Sequence, residues 1–131
     1  MFCRSCRFYF LFVLKCISSK VIHTNLEYNK GVLFVRLEGF INHNISYKIN
    51  NILVPKILEK KIKYLVFNFY DVDDIDSFGL DAILNVKCAI KTNKGKICLC
   101  EISNYIEKKI KLLKIIKVKN ELNAISKIGE Y

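Results

Sequence analysis

The stretch that most constrains the fold runs from Tyr64 to Leu84, YLVFNFYDVDDIDSFGLDAIL. Tyr64 to Tyr70 is largely apolar and aromatic with no Gly or Pro, which predicts a buried strand. After Gly79, Leu80, Ile83, Leu84 and Ile90 recur at helical spacing and predict an amphipathic helix. Between the two lie Asp71, Asp73, Asp74 and Asp76 with no basic residue, and they read as a turn. Carboxylates crowded there repel one another. Such a turn must be solvated, capped by helix amides, or turned toward a cationic partner. In an open α/β sheet, the edge where strand ends meet helix N-termini is also where ligands bind. The rest of the chain reads as the scaffold that presents this corner.

At 131 residues the chain holds one core, and 52% hydrophobic with 26% charged residues excludes disorder. The net charge of +10 raises nucleic acid and anionic membranes as partners. The lysines are scattered, however, no Arg follows Arg36, and no aromatic and basic stripe appears, so no nucleic-acid partner is expected. An acidic segment inside a basic chain favours a basic protein partner instead.

From Asn25 the pattern is regular. Leu26-Glu27-Tyr28 and Val32 to Leu37 flank Asn29-Lys30-Gly31 as a hairpin. Gly39 ends the second strand. Asn42 or Asn44 caps a helix carrying Ile45, Ile49, Ile52, Leu53, Ile57 and Leu58, with a kink expected at Pro55. The helix after Gly79 stops near Asn93-Lys94-Gly95. Lys96 to Ile102 is the next strand, and Ser103 or Asn104 caps a third helix. Ile115 to Val118 reads as an edge strand, and Asn120 caps a last helix with Leu122, Ile125 and Ile128. The predicted fold class is α/β, a four- to five-stranded mixed sheet with about four helices packed mainly on one face.

Residues 1–20 differ from this pattern. An apolar run from Phe8 to Leu14 follows Arg4 and Arg7, too short to span a bilayer and without a small-residue cleavage site. It is expected to be an added element or upstream sequence, with the domain proper at 21–131. Cys3-x-x-Cys6 lacks the second pair a zinc site needs. The thiols, Cys16, Cys88, Cys98 and Cys100 included, are expected to be reduced and mostly buried, with Cys98 and Cys100 on opposite faces of their strand.

Catalytic readings are poor. Asp71-Val72-Asp73 after an apolar strand mimics a phosphatase nucleophile motif, but no later carboxylate pair is present to hold Mg²⁺. As a calcium loop the segment fails at Ile75. His23 and His43 have no Cys or Ser partner in a motif, and no Gly-rich phosphate loop occurs. No enzyme activity, metal or cofactor is expected.

Ile75-Asp76-Ser77-Phe78-Gly79-Leu80 resembles the turn of the STAS domain, and within it the sporulation-type anti-sigma factor antagonists. Leu37 to Asn44, Tyr64 to Phe69, Lys94 to Cys100 and Glu121 to Ile125 fit the same family in order and spacing. The resemblance implies a cytoplasmic regulator of transcription that binds an anti-sigma factor, a histidine-kinase-like ATPase of the serine kinase type. It implies docking through Asn42, His43, Asp74, Asp76, Ser77, Phe78, Gly79 and Asp81. In that family a hydroxyl residue just before the Gly is phosphorylated, which turns binding off by adding charge at a helix N-terminus. Here Phe78 occupies that position and Asn42 stands where the family usually has Asp. Ser77, one residue earlier, is the remaining phosphorylation candidate, with a helix-capping hydroxyl as its structural role. The departure implies a weakened or absent switch. The alternative is a non-phosphorylated scaffold or accessory module of a signalling or transport complex.

Overall fold

The structure, a computed structural model, describes residues 24–128. The N-terminal segment 1–20 lies outside the described residues. The chain turns first at Lys30 and Gly31, whose φ values of 53° and 84° suit a two-residue hairpin turn between β1 (Thr24–Asn29) and β2 (Val32–Ile41). The sheet continues with β3 (Tyr64–Ile75), β4 (Lys96–Cys100) and β5 (Ile116–Val118), in the spatial order β1-β2-β3-β4-β5. Only β1 is antiparallel to its neighbour; the other pairings are parallel.

Strand alternation divides the core. Leu33, Val35, Leu37, Leu65, Phe67, Phe69, Ile97 and Leu99 fill one face. Helix α1 (α-helical His43–Lys48, π-helical Ile49–Leu53, α-helical Val54–Lys60), α2 (Ser77–Thr92) and α3 (Asn104–Ile110, followed by the 3₁₀ turn Lys111–Leu113) contribute to that core. Val32, Phe34, Val66, Cys98 and Cys100 face the other way, packed under Ala124 and Ile128 of α4 (Glu121–Ile128). Three helices therefore share one face and the fourth takes the opposite one. Cys98 and Cys100 are on the same face, not opposite ones, because residues two apart on a strand point the same way. Burial raises both thiols, Cys100 to about 12, while Cys88 is exposed on α2.

Three elements differ from the sequence expectation. β2 does not end at Gly39 but runs on to Ile41, where it pairs with the extended β3. The irregularity at Pro55 takes the form of the π-helical stretch just before it, where the Val54 amide donates to the Ile49 carbonyl. A widened turn is one way a helix accommodates a residue that cannot donate. The larger difference is β3. It does not end at Tyr70 but runs to Ile75, pairing Glu38 with Asp71, Gly39 with Val72, Phe40 with Asp74 and Ile41 with Ile75, with register shifts between Arg36 and Glu38 and between Gly39 and Phe40. Val72 and Ile75 are buried. These two apolar residues hold the segment in the sheet, so most of the acidic residues are on a strand and not in a turn.

A polar cluster ties α4 down. Arg36 donates from Nε and Nη2 to the two Glu121 carboxylate oxygens, each at 2.8 Å, and from Nη1 to Glu27 at 2.8 Å. Asn68 Nδ2 donates to Glu121 Oε2 at 2.7 Å. The bonds from Arg36 hold the Glu121 carboxyl below its ordinary 4.5, against the opposing effect of burial. Glu121→Gln is expected to lower stability by about 1.5–3 kcal/mol, the range for a hydrogen bond to a charged group. A urea midpoint at neutral pH reads the loss. Because the folded pKa is depressed, the wild-type advantage is full above pH 4.5 and shrinks as the pH falls through the lowered value.

Candidate functional site

The N-termini of α1 and α2 meet at one edge of the sheet, beside the carboxyl ends of β2 and β3. Asn42 caps α1, its Oδ1 accepting from the amides of Asn44 at 3.0 Å and Ile45 at 3.4 Å. Asp76 caps α2, its Oδ1 accepting from the Gly79 amide at 2.9 Å. The capping residue is thus Asp76, while Ser77 is the first residue of the helix and is exposed. The Asp76 amide donates to the Ile41 carbonyl at 3.2 Å, which fastens the two strand-to-helix junctions together.

Gly79 sets how closely they approach. A Cβ there would lie 2.6 Å from the Ile41 carbonyl oxygen and 2.7 Å from the Ile75 side chain. Gly79 is buried, so it shapes the edge and offers no surface of its own. The next side chain outward is Phe78, 58% exposed, whose ring meets that of His43 edge-on with centroids 6.2 Å apart. Asp81, one turn into α2, is exposed as well. His43, Ser77, Phe78 and Asp81 therefore lie at or near one accessible edge that crosses both helices.

The carboxylates of the acidic segment meet three different ends. Asp76 is consumed as a cap. Asp74 accepts from Lys109 Nζ of α3 at 2.6 Å and from the Ile75 amide at 2.8 Å, and its pKa is lowered chiefly by Lys109. Its charge is thereby shared within the chain, which reduces its value as a free docking group. Asp71 and Asp73 are exposed and line an open groove of about 520 Å³ with Glu38, Phe40, Asn42 and Asn44. Sequence reasoning missed the groove and Lys109. Lys109 is 35 residues from Asp74, and no local pattern links them. Phe40 carried a weak signal as an apolar residue beyond the end of the predicted strand.

The family model for the STAS domain matches residues 23–126, and the chain belongs to that family. It is 23% identical over 111 residues to the anti-sigma F factor antagonist of Paenibacillus polymyxa, an alignment covering 82% of this chain and 95% of that one. Among solved structures, the anti-sigma factor antagonist SpoIIAA in its unphosphorylated form superposes with a TM-score of 0.71 at 19% identity, over 82% of this chain and 99% of SpoIIAA. An anti-sigma factor antagonist from Mycobacterium paratuberculosis gives 0.70 at 15% identity, over 87% and 99% of the two chains. The five-stranded mixed sheet with four helices is the fold of these neighbours. Among the described residues, no helix is long and apolar enough to cross a membrane.

Proposed function

We propose that the chain is an anti-sigma factor antagonist. It acts in the cytoplasm by docking the edge formed by Asn42, His43, Ser77, Phe78 and Asp81 onto an anti-sigma factor of the histidine-kinase-like, serine kinase type. Sequestering that protein frees a sigma factor for transcription, and the chain itself makes and breaks no bond. The observation that carries this reading is Phe78, a large apolar side chain held out at the junction of two helix N-termini. Aromatic side chains of that kind are enriched among the residues that dominate protein interfaces. The similarity to anti-sigma factor antagonists supplies the partner class.

The phosphorylation switch is weakened or absent. Phe78 has no hydroxyl, and Ser77 lies one position away from the usual acceptor. The same substitution favours a second reading, a scaffold or accessory module that needs no switch. Incubating the chain with the kinase-type anti-sigma factor of its host, with and without ATP, separates these outcomes. The expected result is a complex under both conditions and an unmodified Ser77 by mass spectrometry. Phosphate on Ser77 with release of the complex would contradict the absent switch. No complex under either condition would contradict the antagonist reading.

Asp81→Lys reverses an exposed charge without removing a helix cap, which makes it a cleaner variant than Asp76→Lys. It is expected to weaken the complex by about tenfold or more, as a charge reversal at a complementary interface does. Calorimetric titration reads the change.

A further inference from the structure

We infer that the sheet edge opposite the docking edge seats on an anionic lipid surface through its lysines. Strands β2 to β5 run parallel, so the turns that lead into them lie at one edge of the sheet, away from the N-termini of α1 and α2. Each of those turns carries a lysine with positive φ: Lys30 at 53° before β2, Lys61 at 54° before β3, Lys94 at 62° before β4 and Lys114 at 53° before β5. All four are exposed. Lys63 and Lys96 lie among them, and the Lys96 amide donates to the Lys63 carbonyl at 2.7 Å, which fastens the starts of β3 and β4 together.

The backbone makes this choice of residue informative. Left-handed positions disfavour most side chains, and glycine or asparagine is the usual occupant in hairpin turns and after helices. Among the described residues, five that are not glycine have positive φ, and four of them are these lysines. A positive charge near a helix C-terminus is favourable in itself, which suits Lys61 and Lys94. It does not account for Lys30, which joins two strands, nor for the left-handed backbone. Disfavoured conformations kept together at one edge mark a surface in use.

Charge is divided along the strands. Carboxylates collect at the other edge, from Asp71 to Asp81 around the end of β3, at Glu101 after β4, and at Glu107 and Glu121 in the first turns of α3 and α4. Among the described residues, the acidic side chain in a last helical turn at the lysine edge is Glu59, and Lys56 Nζ holds it at 3.0 Å. The lysine edge is therefore strongly positive.

Its composition favours lipid over other polyanions. No arginine follows Arg36, and none of the large exposed aromatic side chains lies in these turns. Base readout, stacking on single strands and the anchors of protein interfaces draw on those groups. Lysines spread over separate turns of one rim act as point charges, which suits a plane of phosphate headgroups. Seated in this way, the chain turns the edge that bears Phe78 away from the lipid, so the inference neither needs nor hinders the docking reading.

The test is co-sedimentation of the full chain with vesicles of equal parts phosphatidylglycerol and phosphatidylcholine, and with vesicles of phosphatidylcholine alone. The chain is expected to sediment with the anionic vesicles only, and less as salt is added. The variant Lys30→Asn/Lys61→Asn/Lys94→Asn/Lys114→Asn removes four charges and places a residue better suited to each φ, so its urea midpoint is expected to match or exceed that of the wild type. Its partitioning is expected to fall by about a hundredfold or more, since each lysine near an anionic surface contributes about fivefold. Equal sedimentation with both kinds of vesicle, the result an apolar anchor alone gives, would overturn the inference. Unchanged partitioning of the variant would do the same, as would duplex DNA that strips the chain from the vesicles at equal phosphate concentration.

Discussion

Phe78→Ala is expected to weaken binding of the anti-sigma factor by about thirtyfold or more, the consequence of losing roughly 2 kcal/mol at an interface anchor. The fold should be unaffected. Phe78 is 58% exposed, and among the described residues its ring meets that of His43 edge-on. Urea denaturation should place the midpoints of variant and wild type together, which separates lost contact from lost structure. Phe78→Ser asks the complementary question. It restores a hydroxyl immediately before Gly79, on an exposed first turn flanked by Asp76 and Asp81. A phosphate there adds about −1.5 to −2 charge beside two carboxylates. With ATP and the kinase-type anti-sigma factor, that variant is expected to become phosphorylated and released, while the wild type stays bound. Retention of a phosphorylated Phe78→Ser variant would show that the acceptor position does not govern this interface.

Gly95→Ala is expected to cost about 3 kcal/mol, at the upper end for forcing an extra methyl into a packed site. A Cβ at Gly95 would overlap the Lys63 carbonyl oxygen and lie 2.5 Å from the carbonyl carbon. Both are backbone atoms, so no flexible side chain can move aside. The same carbonyl accepts from the Lys96 amide at 2.7 Å, and the Gly95 amide donates to Ile90 at 2.9 Å where α2 ends. Relieving the overlap therefore disturbs the start of the β3–β4 ladder and the last turn of α2 together. Urea unfolding measures the difference, and a loss below about 1 kcal/mol would contradict the close approach. Gly39 is a different case. Its φ of 79° favours glycine, yet the space around it is open, so any cost there comes from the backbone alone.

What could be seen in the sequence was what is settled locally. The hairpin at Lys30-Gly31 follows from a two-residue turn needing positive φ. Asn42, Ser103 and Asn120 accept from amides two or three residues onward, within the reach of a side chain on its own helix. The corner between β3 and α2 was found because an apolar run, a glycine and a helical repeat occur there in succession. Asp76 displaced Ser77 as the cap, a one-residue choice between two competent side chains that depends on where the strand releases the chain.

The rest was set by partners distant in sequence. β3 extends to Ile75 because β2 is long enough to pair with it, which no window around Asp71 reveals. Lys109 reaches Asp74 from a helix whose position depends on the whole sheet. Register shifts between β2 and β3 set Glu38 opposite Asp71, and that pairing was equally hidden. The opposite placement of α4 was also hidden, since its apolar residues do not state which face of the sheet they cover.

Amide hydrogen exchange of the full chain, alone and saturated with the anti-sigma factor, tests the docking edge most directly. The first amides of α1 and α2 lack acceptors within the helix, and those not taken by the Asn42 and Asp76 caps exchange readily when free. Slowed exchange concentrated at Asn42 to Asn44 and Ser77 to Asp81, with α4 and β1 unchanged, is the result this account predicts. Unaltered exchange at those two first turns, with new protection along α4 or β1, would contradict it.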